Sequence, residues 1–307
     1  MSSSASPKIR VGCSSWLDPE FIKHWYPKDV RADDRLEWYS ESFDYVEVNS
    51  SFYAIPERKT VARWAEQTPE DFVFDAKLHK ALSRHNALVE TLPPACRPKG
   101  QDKKGPVKLD RELERDLALW TKEQFSPLVE AGKFGAFLLQ LSPSFTPRHR
   151  LTELEGLLGD LDPLPVAVEL RNKEWFGEEL RQHTIDFMAD FKVTLVGVDA
   201  PDIEDQTAMP AVDYVTNPAL GYIRLHGRNK IGFVEGKTVA ERFSWQYGEK
   251  ELESIAGRVE RLARQVKEVR VAANNNDKDF APKAAAKLRE LLGLPHRKPR
   301  RTTLPGF

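Results

Sequence analysis

Short β-rich runs, most of them followed by a longer helix-like segment, recur along this chain. That alternation constrains its fold more than any other feature. The runs lie at 8–13 (KIRVGC), 44–49 (DYVEVN), 71–79 (DFVFDAKLH), 135–141 (GAFLLQL), 164–171 (LPVAVELR), 193–199 (VTLVGVD), 221–227 (GYIRLHG) and 268–275 (EVRVAANN). Strands alternating with helices at this spacing predict a parallel sheet, either closed into a barrel or open and doubly wound. Neither GxGxxG nor GxxxxGK[ST] follows the first run, so the usual signature of an open nucleotide-binding sheet is missing. Polar residues fall at the ends of nearly every run rather than at one crevice. The expected fold is therefore a single α/β TIM-type (β/α)8 barrel of parallel strands over residues 8–293. Residues 200–220 offer no obvious helix, so the connection between the sixth and seventh strands is expected to be irregular. Residues 1–7 are expected to be a flexible N-terminus, and 294–307, which hold HRKPRRTT, a basic solvated tail. Within the long helix expected from residue 110, Asp110 is a candidate N-cap, and Pro127 is expected to kink it or to mark a second short helix.

The parity of side chains along each run tests this expectation. Ile9 and Val11 alternate with Arg10 and Gly12, Val46 and Val48 with Glu47 and Asn49, and Val168 and Leu170 with Glu169 and Arg171. Ile223 and Leu225 alternate with Arg224 and His226, which Arg228 continues; Val271 and Ala273 alternate with Ala272 and Asn274. In a parallel barrel one set meets the helices and the other fills the interior. Apolar members facing helices leave Arg224, His226, Glu169 and their counterparts pointing inward. Such charge must be paired and hydrogen-bonded to be tolerated. For Arg10 and Glu47, deep in the barrel, a structural ion-pair role is favoured.

Residues at the C-terminal ends of barrel strands form the site in characterised enzymes of this architecture. By count these are Lys77, His79, Gln140, Glu169, Arg171, Asp199, Arg224, His226, Arg228, Asn274 and Asn276, with Asn49 on the second strand. Arginines there suit carboxylate or phosphate. The catalytic candidates are Glu169 and Asp199 as bases, His226 (or His79) as acid, and Lys77. The substrate-binding candidates are Asn49, His79, Gln140, Arg171, Arg224, Arg228, Asn274 and Asn276, with Trp16 and Tyr53 as walls. A divalent metal on His79, Glu169, Asp199 and His226 is disfavoured, because no HExxH spacing exists and arginines would repel it. No cofactor is assigned. Ser14 and Ser15 lack a GxSxG elbow, and Cys13 and Cys96 form no CxxC pair.

VGCSSW, YVEVNSSFYAIP, FDAKLH, LLQLSPSF, AVELRNKEW, VGVDAP, YIRLHGRN and AANNN…AP resemble, in order, the motifs of the domain of unknown function 72 (YecE-like) family, over residues 8–292. The resemblance implies a TIM-type barrel whose shared polar positions match Asn49, Lys77, His79, Gln140, Glu169, Arg171, Asp199, Arg224, His226, Arg228 and Asn274. No activity is firmly assigned to that family. Likeness of its cleft to metal-dependent endonuclease barrels implies nucleic acid as an alternative partner. Asn172 stands where the family often has histidine, Ala284 where it has asparagine, and no tryptophan follows shortly after HGRN.

The expected function is acid–base chemistry, hydrolytic in the first instance, on a small phosphorylated or carboxylated ligand. The alternatives are a nucleic-acid-binding or endonuclease-like barrel and a non-catalytic ligand-binding protein. A net charge of −1 argues against nucleic acid. With neither a signal peptide nor a bilayer-length apolar run, a cytoplasmic protein with no membrane partner is expected.

Overall fold

The computed structural model describes residues 7–201, 203, 211–275 and 277–295. Eight strands close into an all-parallel barrel in sequential order: β1 (Lys8–Cys13), β2 (Tyr45–Val48), β3 (Val73–Lys77), β4 (Phe134–Gln140), β5 (Val166–Glu169), β6 (Thr194–Asp199), β7 (Leu220–Leu225) and β8 (Glu268–Ala273). The fold is a TIM-type (β/α)8 barrel. Helices α1 (Pro19–His24) and α2 (Arg35–Ser42) precede β2, and α3 (Arg58–Glu66), α4 (Arg111–Glu130), α5 (Glu155–Leu161) and α6 (Arg181–Asp190) separate the strands from β2 to β6. Among the described residues no helix joins β6 to β7; α7 (Lys230–Glu235), α8 (Val239–Phe243) and α9 (Glu249–Ala263) crowd the next connection, and α10 (Phe280–Leu291) follows β8. No helix among the described residues is long and apolar enough to cross a membrane.

The side-chain parity sorts apolar residues into two separate cores. Val11, Val46, Val48, Phe74, Phe137, Val168, Ile223, Leu225, Val269 and Val271 pack outward against the helices in one large cluster. Tyr45, Val73, Leu138, Ala167, Val196, Tyr222 and Ala272 form a smaller one inside the barrel. Full burial of a large apolar side chain contributes about 1.5–3 kcal/mol, so the outer cluster is what fixes helices to strands. Asp110 caps α4 by accepting the Leu113 amide, as expected. The kink expected at Pro127 does not break α4, which runs to Glu130. Proline there lies in the last turn, where little helix remains to be redirected.

The lower interior of the barrel also carries an ionic cluster. Arg270 donates to Asp75 at 2.5 Å and to Glu268 at 2.7 Å, and Arg10 lies between Glu268 and Asp44. Gly135 makes room for this cluster: a Cβ there would fall 2.2 Å from Asp75 Oδ1. Burial pushes the Asp75 carboxyl up to about 6 despite the pull of Arg270.

The join between β1 and β2 is built differently from the rest. Only Cys13 and Val46 are in register there, whereas β1 and β8 pair over the full length of both strands. The Tyr39 hydroxyl on α2 fills the gap, accepting the Cys13 amide at 2.7 Å and donating to the Tyr45 carbonyl at 3.0 Å. Tyr39→Phe removes this bridge and strands two buried backbone groups, at a cost of about 1–3 kcal/mol. A lower urea midpoint with an intact circular-dichroism spectrum is the expected result; an unchanged midpoint would mean that the ladder closes without the hydroxyl.

Candidate functional site

The site grows upward from one arginine. Arg224 on β7 is fully buried and lies between two fully buried carboxylates, Glu47 on β2 and Glu169 on β5. Its Nε and Nη2 donate to Glu47 at 2.9 and 2.6 Å, and its Nη1 donates to Glu169. A planar guanidinium can meet two carboxylates along different edges, which an ammonium cannot do in a fixed geometry. Below, the Tyr222 hydroxyl donates to Glu47 at 2.6 Å and lies 2.5 Å from that of Tyr45. Sequence reasoning missed this tyrosine pair, although Tyr222 shares the parity of Arg224.

Above, the network reaches the C-terminal mouth. Gln140 at the end of β4 donates to Glu169 Oε1 at 2.7 Å, and His226 Nε2 lies 3.1 Å from the same oxygen. Asn274 Nδ2 lies 2.9 Å from His226 Nδ1, and Asn49 donates to Asn274 Oδ1 at 3.2 Å. Burial, reinforced by Arg224 and Arg171, lowers the His226 pKa below its ordinary value despite the pull of Glu169. The ring is therefore neutral near pH 7. An ionised Glu169 can only accept, so the network assigns the proton to Nε2 and the acceptor role to Nδ1. Burial works to raise the Glu169 pKa, but Arg224, His226 and Arg171 outweigh it and hold the carboxyl well below its ordinary range.

Arg171 and Lys77 complete the mouth and are less tied. Arg171 approaches Glu169 through Nε at 3.6 Å, and its side chain is 21% exposed. Lys77 is half-buried, and among the described residues its Nζ makes neither a hydrogen bond nor an ion pair. Its amine rests over the Phe52 ring, 4.1 Å from the centroid. Burial, together with repulsion from Arg224 and Arg171, pulls the Lys77 pKa down to about 7; Glu47 and Glu169 offset only part of that. His85 is a further mouth residue that sequence reasoning did not find. Burial, Lys77 and Arg171 lower its pKa to about 4 against the opposing effect of the Gln140 backbone, and among the described residues its buried Nε2 has no hydrogen-bond partner. It lies in an irregular turn after β3, where no periodicity marks it.

Several expected members lie elsewhere. Arg228 and Asp199 pair with each other, Nη2 to Oδ2 at 2.6 Å, and not with Glu169. Val196 faces the barrel interior, so Asp199, three residues on, has the opposite parity. Its partners are Tyr247 and Arg258 as well as Arg228. Arg228 leaves the inward face because Gly227 adopts φ +83°, which ends the alternation of β7. His79 is fully buried in the turn beyond β3, accepting the Ala81 amide at Nδ1, with its pKa lowered to about 4, mainly by burial. Trp16 is no wall of the mouth: it is buried edge-on to Trp64 and Phe74 in the outer core. Tyr53 is 59% exposed and packs edge-on to Phe52. Asn276 and the basic run 296–303 lie outside the described residues. Asn172 accepts the Glu174 amide and caps a short turn.

Closed topology, two ionic clusters and a polar mouth correspond to the motifs read from the sequence. The family described as "Protein of unknown function DUF72" matches residues 10–306. The chain belongs to the DUF72 family. Among curated DUF72 relatives, the UPF0759 protein YunF of Bacillus subtilis (strain 168) is 28% identical over 291 residues, 93% of this chain and 95% of that protein. The UPF0759 protein YecE of Escherichia coli (strain K12) is 29% identical over 182 residues, 58% of this chain and 54% of that protein. A solved DUF72 family protein from Enterococcus faecalis V583 superposes with a TM-score of 0.73 at 26% identity, over 94% of this chain and 99% of that one. Another, from Thermotoga maritima MSB8, gives 0.74 at 26% identity, over 93% and 99%.

For metal binding, the nearest donor pair in the DUF72 mouth is Glu169 and His226. Among the described residues no three histidine, cysteine or acidic side chains come together to hold an ion. The neighbours of that pair are instead Arg224, Arg171 and the Gln140 amide.

Two measurements check this electrostatic account. Arg224→Met leaves Glu47 and Glu169 buried without their cation, at a cost of about 3–5 kcal/mol near pH 7. In the wild type the depressed Glu169 pKa stabilises the fold above the unfolded-state pKa and is lost as pH falls. In the variant the folded-state carboxyl pKa rises, so stability returns on acidification. Urea melts from neutral pH down to about pH 4 should therefore show the gap between the two proteins narrowing on acidification, the raised carboxyl of Asp75 being common to both. Second, competitive acetylation followed by mass spectrometry should show Lys77 becoming reactive through about pH 7. Exposed lysines should follow only towards about pH 10.4.

Proposed function

We propose that this DUF72 protein is an enzyme that binds a small phosphorylated or carboxylated substrate at the mouth of the barrel. Arg171 holds the anion and Lys77 carries the reacting proton. One observation supports this most: among the described residues, Lys77 is the mouth cation without an anionic partner. Glu47 and Glu169 are matched by Arg224, with Arg171 leaning on Glu169, so Lys77 is the surplus charge. A bound anion would restore neutrality beside a half-buried amine, where a charge pair is stronger than in water.

The roles expected of Glu169 and His226 shift under this reading. Both Glu169 oxygens accept from fixed donors, and both His226 nitrogens are engaged. They serve better as a rigid wall that holds Arg224 and Arg171 than as base and acid. Hydrolysis driven by that pair has correspondingly less support than chemistry at Lys77. The same engagement supports a binding-only protein as the second reading, in which the mouth holds a ligand without turning it over.

Isothermal titration with inorganic phosphate, sugar phosphates and small carboxylates tests the anion site. Saturable binding is expected, weakened about tenfold or more in Arg171→Ala and Lys77→Ala, since a lost charge-assisted contact costs about 1.5–3 kcal/mol. Arg228→Ala, whose guanidinium is committed to Asp199 and Glu251, should bind like wild type. No saturable heat with any of these anions would count against the reading, and turnover of a bound one would separate the enzyme from the binding protein.

A further inference from the structure

We infer that Lys77 captures a carbonyl carbon as an iminium, so that the substrate is an aldehyde or ketone bearing a phosphate or carboxylate. This deepens the reading of the mouth as an anion site and rests on it. The first argument is position. Lys77 is the last residue of β3, shares the inward parity of Val73 and Asp75, and so projects into the C-terminal mouth from a rigid strand. The second is its isolation. A structural lysine in a barrel would satisfy its ammonium with carboxylates or carbonyls, as Lys133 does with the Ala65 and Thr68 carbonyls. Lys77 instead rests its amine over the Phe52 ring.

The third argument is its charged surroundings. Arg224 and Arg171 disfavour the ammonium, as does His85 in its charged form; Glu47 and Glu169, which favour it, are already held by the guanidinium of Arg224. An amine kept partly unprotonated near neutral pH by desolvation and neighbouring cations is a nucleophile, and its characteristic reaction with carbonyl compounds is Schiff-base formation. The fourth is what the mouth lacks for the alternative. Hydrolysis asks for a donor to the leaving group, and the proton of His226 is committed to Glu169. Iminium formation needs only a small shuttle. His85, neutral and among the described residues without a partner for its Nε2, packs edge-on to the Phe52 ring over which the amine rests. It also lines a cavity of about 230 Å³ with Arg84, Ser144, Phe145 and His149, which offers room for the remainder of a small substrate.

The step balances without an added oxidant or reductant. Unprotonated Nζ attacks the carbonyl carbon, a C–N bond forms, and the C=O π pair moves to oxygen, which takes up a proton. Nitrogen then releases one of its protons to solvent, a proton from solvent joins the carbinolamine hydroxyl, and this leaves as water while the nitrogen lone pair forms C=N. Overall, ammonium plus carbonyl gives iminium plus water. Arg171 would hold the substrate's anionic group during this exchange and set which carbonyl compounds enter.

The test is reductive trapping. The whole chain is incubated at neutral pH with pyruvate, glyceraldehyde 3-phosphate or propanal, treated with sodium borohydride, and examined by intact mass and peptide mapping. One adduct per chain on the peptide containing Lys77 is expected with pyruvate or glyceraldehyde 3-phosphate. It should be absent from Lys77→Arg and Lys77→Met, two substitutions whose folding is checked by melting temperature. Arg171→Ala should slow trapping of the charged carbonyls about tenfold or more while leaving propanal nearly unaffected. No adduct on Lys77, or adducts spread over surface lysines equally in both variants, would overturn the proposal. If phosphate and carboxylates bind by calorimetry in that case, the anion site stands and the iminium alone is lost. If neither occurs, both readings fall.

Discussion

A guanidinium sealed inside a barrel between Glu47 and Glu169 is the interaction on which the rest of this structure depends. Taking a charge out of water is costly, and the cost is recovered only when every donor and acceptor finds a partner. Arg224 meets that demand by linking three strands of which no two are neighbours, β2, β5 and its own β7. The three strands are thereby fixed relative to one another by directional bonds. Gln140, His226, Asn274 and Asn49 then add a shell in which each donor has one reasonable acceptor. The mouth is preorganised because its floor is ionic.

Preorganisation also explains the division between spent and unspent groups. Residues that hold the floor have used their hydrogen-bonding capacity on each other. Lys77 and, to a lesser degree, Arg171 have not. A protein evolved only for stability would gain little by leaving an amine over a phenyl ring among arginines, where each neighbouring cation disfavours its charge. Perturbed groups of this kind are concentrated at functional sites, and here the perturbation has a geometric origin in the parity of β3.

Much of this was legible in the sequence. Alternation in β2, β5 and β7 assigned Glu47, Glu169, Arg224 and His226 to the interior, because period-two patterning leaves no other face for the valines and isoleucines. The reading failed where regular alternation ended. Gly227 turns Arg228 out of β7, and Asp199, on the outward parity of β6, joins α9 instead of the barrel interior. Beyond Lys77 the chain leaves β3, so His79 could no longer be placed by counting. Trp16 follows a strand but is claimed by the outer core, and His85 sits in a turn with no periodic signal at all. Pairings such as Tyr45 with Tyr222 are 177 positions apart in sequence, and only closure of the barrel brings them together.

The cylinder has one slit. Where β1 meets β2, a phenolic oxygen from a helix stands in for most of the strand ladder. Breathing of the barrel is cheapest at that slit, since fewer main-chain bonds must part there than along β1 and β8. Glu47 is carried on the β2 side of it. Any widening there would tug on Arg224 and, through it, on the whole mouth, so the packing of α2 is mechanically linked to the shape of the site.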